Sequence, residues 1–201
     1  MINDKKIRLA TEDDSASLLA IYAPYITDTS ITFEYHVPTV MEFRKRIATV
    51  WRFYPWLVCV INNRIVGYAY ASRFQEREAY KWSVSLSIYI NQDYHRLGIG
   101  KALYFALIEL LKLQGFCNAY VAITQPNPKS ERFHEAIGFK EIGVFHKAGY
   151  KLGSWHDVKY HELMLAEHNQ SPLEPKSINE LIDTNEFKAI IEKAEQMIKI
   201  D

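Results

Sequence analysis

Apolar positions recur along the chain with two periods, one suited to strands and one to helices. Residues 6–9 make a short strand candidate, and Thr11-Glu12-Asp13-Asp14 then offers an N-cap and an acidic first turn. Leu18, Leu19, Tyr22 and Ile26 follow at helical spacing, which predicts a helix near 12–27. After Pro38, Thr39-Val40-Met41-Glu42 is a capping-box pattern, and Phe43, Ile47, Val50 and Trp51 form one face of a second helix. Between the two helices lies a loop, Thr29 to Glu34, with Phe33 as an isolated aromatic. WLVCVI and RIVGYAYASRF flank Asn62-Asn63 and read as a hairpin. WSVSLSIYI, 82–90, is a strand that puts Ser83, Ser85 and Ser87 on one face. A glycine turn at 98–100 opens a helix to about Lys112, with Leu103, Leu107, Leu110 and Leu111 inward. The apolar run 116–123 is a buried strand. Pro126-Asn127-Pro128 breaks the chain before a short helix that stops at Gly138, and strands near 140–147 and 156–165 close the body.

Composition narrows the class of protein. The 201 residues carry 24 Lys+Arg against 24 Asp+Glu, and 48% are apolar. That supports a packed core and lacks the basic excess expected of a nucleic-acid binder. Cys59 and Cys117 both sit in apolar runs, without the spacing of a disulfide scaffold or a metal site, and they fit a reducing compartment. The N-terminal stretch has no apolar signal region, and no apolar run is long enough to span a membrane. The expectation is a cytoplasmic protein without a membrane or nucleic-acid partner. After Leu165 the composition turns polar and proline-containing. The chain is therefore divided into a domain over 1–166 and a linker with an amphipathic helix over 167–201, its apolar face formed by Phe187, Ile190, Ile191, Ala194 and Ile198. That helix is read as an appendage packed on the body or as a dimer contact.

His95-Arg96-Leu97-Gly98-Ile99-Gly100 lies between a strand and a helix. Small residues at such a turn let the backbone approach an anion, and the first N–H groups of the helix point at it. Arg96 and Lys101 add positive charge. Neither a third glycine for a dinucleotide fingerprint nor a GK[ST] sequence for a Walker loop is present. On spacing alone, a tight strand-to-helix turn is an equal reading.

The order of motifs adds to this. RLATEDD, FEYHVPT, YPWLVCV, VGYAYAS, REAYKW, IYINQDYHRLGIGKALY, LQGF, QPNPKSERFHEAIGF and AGYKLGSWHDV occur in one succession. With these the chain resembles the GNAT acetyltransferase superfamily, and within it the phosphinothricin and methionine sulfoximine N-acetyltransferase group, over about residues 6–165. The resemblance implies an α/β (α+β) fold whose mixed sheet splays between its fourth and fifth strands. It implies acetyl-CoA as cosubstrate, with no metal. Ile88, Tyr89 and Ile90 would line the pantetheine arm. Arg96, Leu97, Gly98, Ile99, Gly100 and Lys101 would wrap the diphosphate, and Asn127 would lie near the pantetheine. His95 stands where the family prefers Gln or Arg. A homodimer is implied as well, and Trp155-His156-Asp157 is read as mainly structural, at a subunit contact.

For catalysis, the resemblance implies that His134 donates or takes up a proton. An imidazole of ordinary pKa near 6.5 suits either task. The family's general base, a glutamate, is replaced by Ser85, with no carboxylate between Lys81 and Asn91. Ser85 can hold a relaying water, and Glu34 or His134 are the other candidates for the base. Family matches place Phe33, Arg77, Tyr80 and Tyr104 at the acceptor, with Arg77 pairing to an acidic group of the substrate. The expected activity is acetyl transfer to the amino group of a small amino-acid-like substrate, by direct attack through a tetrahedral intermediate. The loss of the glutamate leaves two other readings open: an acetyltransferase for a peptide N-terminus or polyamine, or an acyl-CoA-binding module with impaired turnover.

Overall fold

A computed structural model of the chain describes residues 4–199. Strand β1 (Lys5–Leu9) pairs antiparallel with β2 (Trp56–Ile61), and β2 with β3 (Arg64–Arg73). Asn62 and Asn63 both adopt positive φ, 49° and 62°, the mirror-type turn that matches strand twist and that asparagine tolerates. β4 (Ser83–Ile90) follows antiparallel to β3, and β5 (Asn118–Thr124) is parallel to β4. β6 (Lys140–Lys151) and β7 (Ser154–Met164) form a hairpin whose second strand joins β5, giving the order β1-β2-β3-β4-β5-β7-β6.

Helices cover both faces. α1 (Ser15–Thr27) and α2 (Val40–Trp51) bury Leu18, Tyr22, Phe43 and Ile47 against Trp56, Val58 and Tyr68. On the opposite face α3 (Ile99–Gln114) packs on Leu57, Val84, Leu86 and Val121. Beside it run α4 (Pro128–Ile137) and α5 (Asn185–Gln196). The two core clusters meet across the sheet because alternate strand residues point to opposite faces. Among the described residues, no helix is long and apolar enough to cross a membrane.

Several boundaries differ from those the pattern predicts. The first helix starts at Ser15, because Glu12–Asp14 forms a 3-10 turn capped by Thr11. α3 runs two residues further, to Gln114. β6 and β7 are longer than the apolar alternation indicates. The pairing shifts register between Phe145 and Gly149 and then continues to a turn at Leu152-Gly153, both at positive φ. Glycine and charge in AGYKLGS look like loop residues, yet main-chain pairing carries the strands through them.

The segment after β7 is tied to the body. Trp82 Nε1 donates to Leu173 O, Lys81 pairs with Glu174, and Gln114 Nε2 donates to Lys176 O at 2.7 Å. Ser177 then opens a short 3-10 turn, and α5 lies along α3 and next to β1 with Ala194 buried, as is Ile198 just beyond its end.

Candidate active site

β4 and β5 are paired only at Ser83–Asn118, Val84–Ala119 and Ser85–Tyr120. Beyond Ser85 each strand continues without the other, β4 held by β3 and β5 by β7. Asn91 N–H donates to Val66 O. Antiparallel alternation therefore turns the main chain of Tyr89 and Ser87 toward β3, and that of Leu86, Ile88 and Ile90 toward the gap. The carbonyl of Ile90 is already engaged by the Tyr25 hydroxyl at 2.7 Å. Of the three residues expected to line the arm, Ile88 and Tyr89 border the pocket in the gap, and Ile88 is the one that turns main-chain groups into it free of Tyr25 and β3. Leu86, not foreseen, turns its own the same way.

A pocket fills the gap, walled by Leu86, Ser87, Ile88, Val121, Thr124 and Ile31 and closed by Tyr104, Asn127 and His134. Its floor is the α3–α4 contact. Burial lowers His134 to about pKa 4, against the Ser130 hydrogen bond that favours its charged form. Its Nδ1 lies 2.8 Å from Ser130 O, which can only accept, so Nδ1 carries the proton. Nε2 then holds the lone pair and accepts from the Tyr104 hydroxyl at 3.0 Å. Tyr104 is fully buried, and burial raises its pKa far above the ordinary value. The pair is a neutral imidazole and a neutral phenol joined by one proton. Tyr104, grouped by resemblance with the acceptor residues, lies with His134 instead, one helix turn inside α3. Asn127 caps α4 by accepting from Ser130 N–H through Oδ1, which leaves its amide nitrogen for a ligand.

At the other end of β4 the chain turns through Arg96 (φ 69°) and Gly98 (φ 81°) into α3. The first N–H groups of this 16-residue helix have no acceptor within it and face the turn, with Arg96 and Lys101 exposed on either side. Gly100 has a different reason to be glycine: a Cβ there would sit 3.2 Å from both Ile90 and Phe133, so it sets how closely α3 approaches the strand and α4. Acyl-CoA chemistry fits this arrangement. An extended amide-bearing arm can complete the free edge of β4, and a diphosphate can lie on the helix N-terminus.

Of the other expected acceptor residues, Phe33 and Tyr80 fall on the α1–α2 side of the sheet. Phe33 presses on Gly149, where a Cβ would collide with the ring. Tyr80 stands edge-on to Phe74, which stacks on Tyr120 at 4.2 Å. Tyr120 faces Ser85 across the pairing that precedes the gap. Arg77 is exposed in the loop before β4 and does not line the pocket. Ser85 does not line it either. Ser87, two residues on, does, and the serine alternation of this strand was the signal for it. Glu34 does not line the pocket, and its oxygens are engaged elsewhere. Burial by itself would raise its pKa, but Arg46 (2.6 and 3.0 Å) and the Tyr22 hydroxyl (2.9 Å) hydrogen-bond both oxygens and hold it below the usual carboxylate range. Cys59 lies buried in β2, its thiol pushed up to about pKa 12 by burial, and is no nucleophile. Asp157 accepts from Lys147 N–H at 2.7 Å and ties down the β6 bulge, while His156 lies between the carbonyls of Gln125 and Lys151.

Comparison with known proteins identifies the fold's lineage. The acetyltransferase (GNAT) domain family matches residues 7–159. Phosphinothricin N-acetyltransferase of Streptomyces viridochromogenes is 36% identical over 155 residues, 77% of this chain and 85% of that protein. The L-methionine sulfoximine/L-methionine sulfone acetyltransferase of Salmonella typhimurium is 27% identical over 163 residues, 81% of this chain and 95% of that protein. Among solved structures, a GNAT superfamily phosphinothricin acetyltransferase from Sinorhizobium meliloti in complex with AcCoA superposes with a TM-score of 0.81. It is 31% identical, over 86% of this chain and 95% of that one. The chain belongs to the GNAT acetyltransferase family, and it is an N-acetyltransferase.

Proposed function

We propose that the chain transfers the acetyl group of acetyl-CoA to the amino group of a small amino-acid-like substrate of the phosphinothricin or methionine sulfoximine type. The observation that carries this reading is the gap beyond Ser85–Tyr120, with the free edge of β4 on one side and the N-terminus of α3 at its end. The relatives' names supply the acceptor class. In this reading Leu86 and Ile88 bind the pantetheine arm by main-chain hydrogen bonds. Arg96 to Lys101 hold the diphosphate, and Asn127 contacts the arm near its thiol end. Arg77, Tyr80 and Phe33 receive the acceptor from the α1–α2 side, with Ser85 ordering a water between Tyr120 and the amine.

Among the described residues no carboxylate lines the pocket, so the free amine forms by loss of its proton to solvent, and the neutral amine attacks the thioester carbon. A carbon–nitrogen bond forms and the carbonyl oxygen gains charge in a tetrahedral intermediate. The nitrogen must then shed a proton as the carbon–sulfur bond breaks and the thiolate takes one up. Tyr104 and His134 carry it: the hydroxyl accepts from nitrogen as its own proton moves to His134 Nε2, and the reverse shift delivers a proton to sulfur. An imidazole of low pKa holds that proton only briefly, which suits a relay. Residues 1–166 form the transferase domain, and 167–201 an appendage. The exposed apolar side chains of the β6–β7 hairpin, Ile142, Phe145, Tyr150, Leu152 and Trp155, support a homodimer through this face. Two buried free thiols support a cytoplasmic setting.

Calorimetric titration with CoA, followed by free-thiol release from acetyl-CoA across amino acids, peptides and polyamines, tests the assignment. The expected result is binding, with release greatest for phosphinothricin or methionine sulfoximine. Binding without release for any amine refutes the transferase reading, and release only with peptides or polyamines refutes the acceptor class.

A further inference from the structure

The turn assigned to the diphosphate is braced from outside by the end of the chain. Lys199 N–H donates to Leu97 O at 2.8 Å. Met197 O lies so close to Gly98 that a Cβ there would be 2.6 Å from it. The brace is itself anchored. Lys5 Nζ donates to Ile198 O at 2.6 Å, Ile7 N–H donates to Glu195 Oε1 at 2.7 Å, and Ile198 is buried in the α3 core. The same C-terminal segment also grips the far end of α3, where Lys176 N–H donates to Gln114 O at 2.8 Å and Gln114 Nε2 returns a bond to Lys176 O. Both ends of the helix that begins the site are therefore fixed by residues beyond Ser171. The family match stops at residue 159, so this brace lies outside it.

Leu97 sits between two left-handed residues, Arg96 and Gly98. A non-glycine residue pays for that conformation, and a turn that holds it needs a restraint. A ligand that binds only one form of a loop loses affinity by the fraction of time the loop spends elsewhere. From these contacts we infer that Met197, Ile198 and Lys199 act as a positioning element for acetyl-CoA, holding Leu97 and Gly98 in the form that presents the start of α3 to the diphosphate. The inference rests on the assignment of the turn to acetyl-CoA made above. It adds that affinity for the coenzyme depends on a segment that touches neither the arm nor the acceptor.

Lys199→Pro removes the N–H donated to Leu97, and Lys199→Ala keeps it while deleting the same charge. The expected result for Lys199→Pro is a CoA dissociation constant and an acetyl-CoA KM raised about fivefold, the scale of one main-chain hydrogen bond. kcat and the KM for the amine stay as in the wild type, and Lys199→Ala binds like the wild type. A chain ending at Gln196 should lose more, about tenfold or beyond, by the same reasoning. If that shortened chain does not fold, the two point variants decide alone. Unchanged CoA affinity in Lys199→Pro overturns the inference, as does an equal loss in Lys199→Ala or a parallel fall in kcat. If the wild-type chain binds no CoA in the same titration, the coenzyme assignment itself fails, a different and separately visible result.

Discussion

A histidine that keeps a proton on Nδ1 because its neighbour is a carbonyl has only one thing left to offer, the lone pair on Nε2. His134 offers it to Tyr104, and burial keeps the ring neutral to about pH 4. Removing the ring by His134→Gln leaves the Tyr104 proton without its acceptor. Turnover should fall by about 100-fold or more, the usual range for a proton-transfer group, with CoA affinity within about twofold of wild type. Steady-state kinetics with calorimetry on the same samples check this. The pH profile adds a sign. A relay through neutral His134 puts no His134-dependent limb near the ordinary imidazole value of about 6.5, so wild-type kcat should not drop between about pH 7 and 6 on its account. Sequence spacing made His134 a candidate but could not give its tautomer. That depends on Ser130, one turn earlier in α4, and on a tyrosine 30 residues away. Glu34 shows the opposite outcome. As a lone carboxylate it is a plausible base, and only the fold reveals Arg46 and Tyr22 holding it ionised.

At the scale of elements, the loop between α1 and α2 is clamped on the β6–β7 hairpin and on the end of β5. Lys151 Nζ donates to Thr32 O at 2.6 Å, the Tyr35 hydroxyl donates to Tyr150 O, and Thr124 Oγ1 donates to Ile31 O at 3.4 Å. Phe33 fits there because position 149 has no side chain. Gly149→Ala should displace the ring and open the acceptor side. The expected effects are a several-fold higher KM for the amine, an unchanged KM for acetyl-CoA, and a stability loss of about 1–3 kcal/mol from overpacking. Kinetics with each substrate varied in turn, and urea unfolding, read the two effects separately. The periodicity of the chain made α1, α2 and β4 legible, because each buries one face and repeats at its own period. It could not show this clamp. Lys151 and Thr32 are 119 positions apart, and contacts at such separations leave no local pattern. Gly149, for its part, reads from sequence as a loop glycine.

For the whole molecule, the depressed pKa of His134 links stability to pH. Its folded value of about 4 lies below the ordinary 6.5, so between these values the unfolded chain binds a proton that the folded one refuses. The contribution is complete above about pH 6.5 and is lost as pH falls toward 4. It amounts to no more than about 3 to 4 kcal/mol, since each tenfold change in proton affinity is worth about 1.4 kcal/mol. Urea midpoints measured from about pH 7 down to pH 4 should decline, and the decline should be shallower in His134→Gln; equal slopes would rule out this source. The same scale separates what each level decided. The residues alone determined the alternation and periods that make strands and helices, the left-handed turns at Asn62-Asn63 and Gly98, and the family to which the motifs belong, because all of these are written within a few residues of one another. The pairing of β4 with β5 stops after Ser85–Tyr120, and beyond it β4 is held by β3 and β5 by β7. Tertiary structure alone therefore decided where the gap opens, that Leu86 rather than Tyr89 turns its main chain into it, and that the last described residues of the chain return to hold the turn at Leu97. Each of those facts depends on groups distant in sequence coming within a few ångströms, which no window along the chain can contain.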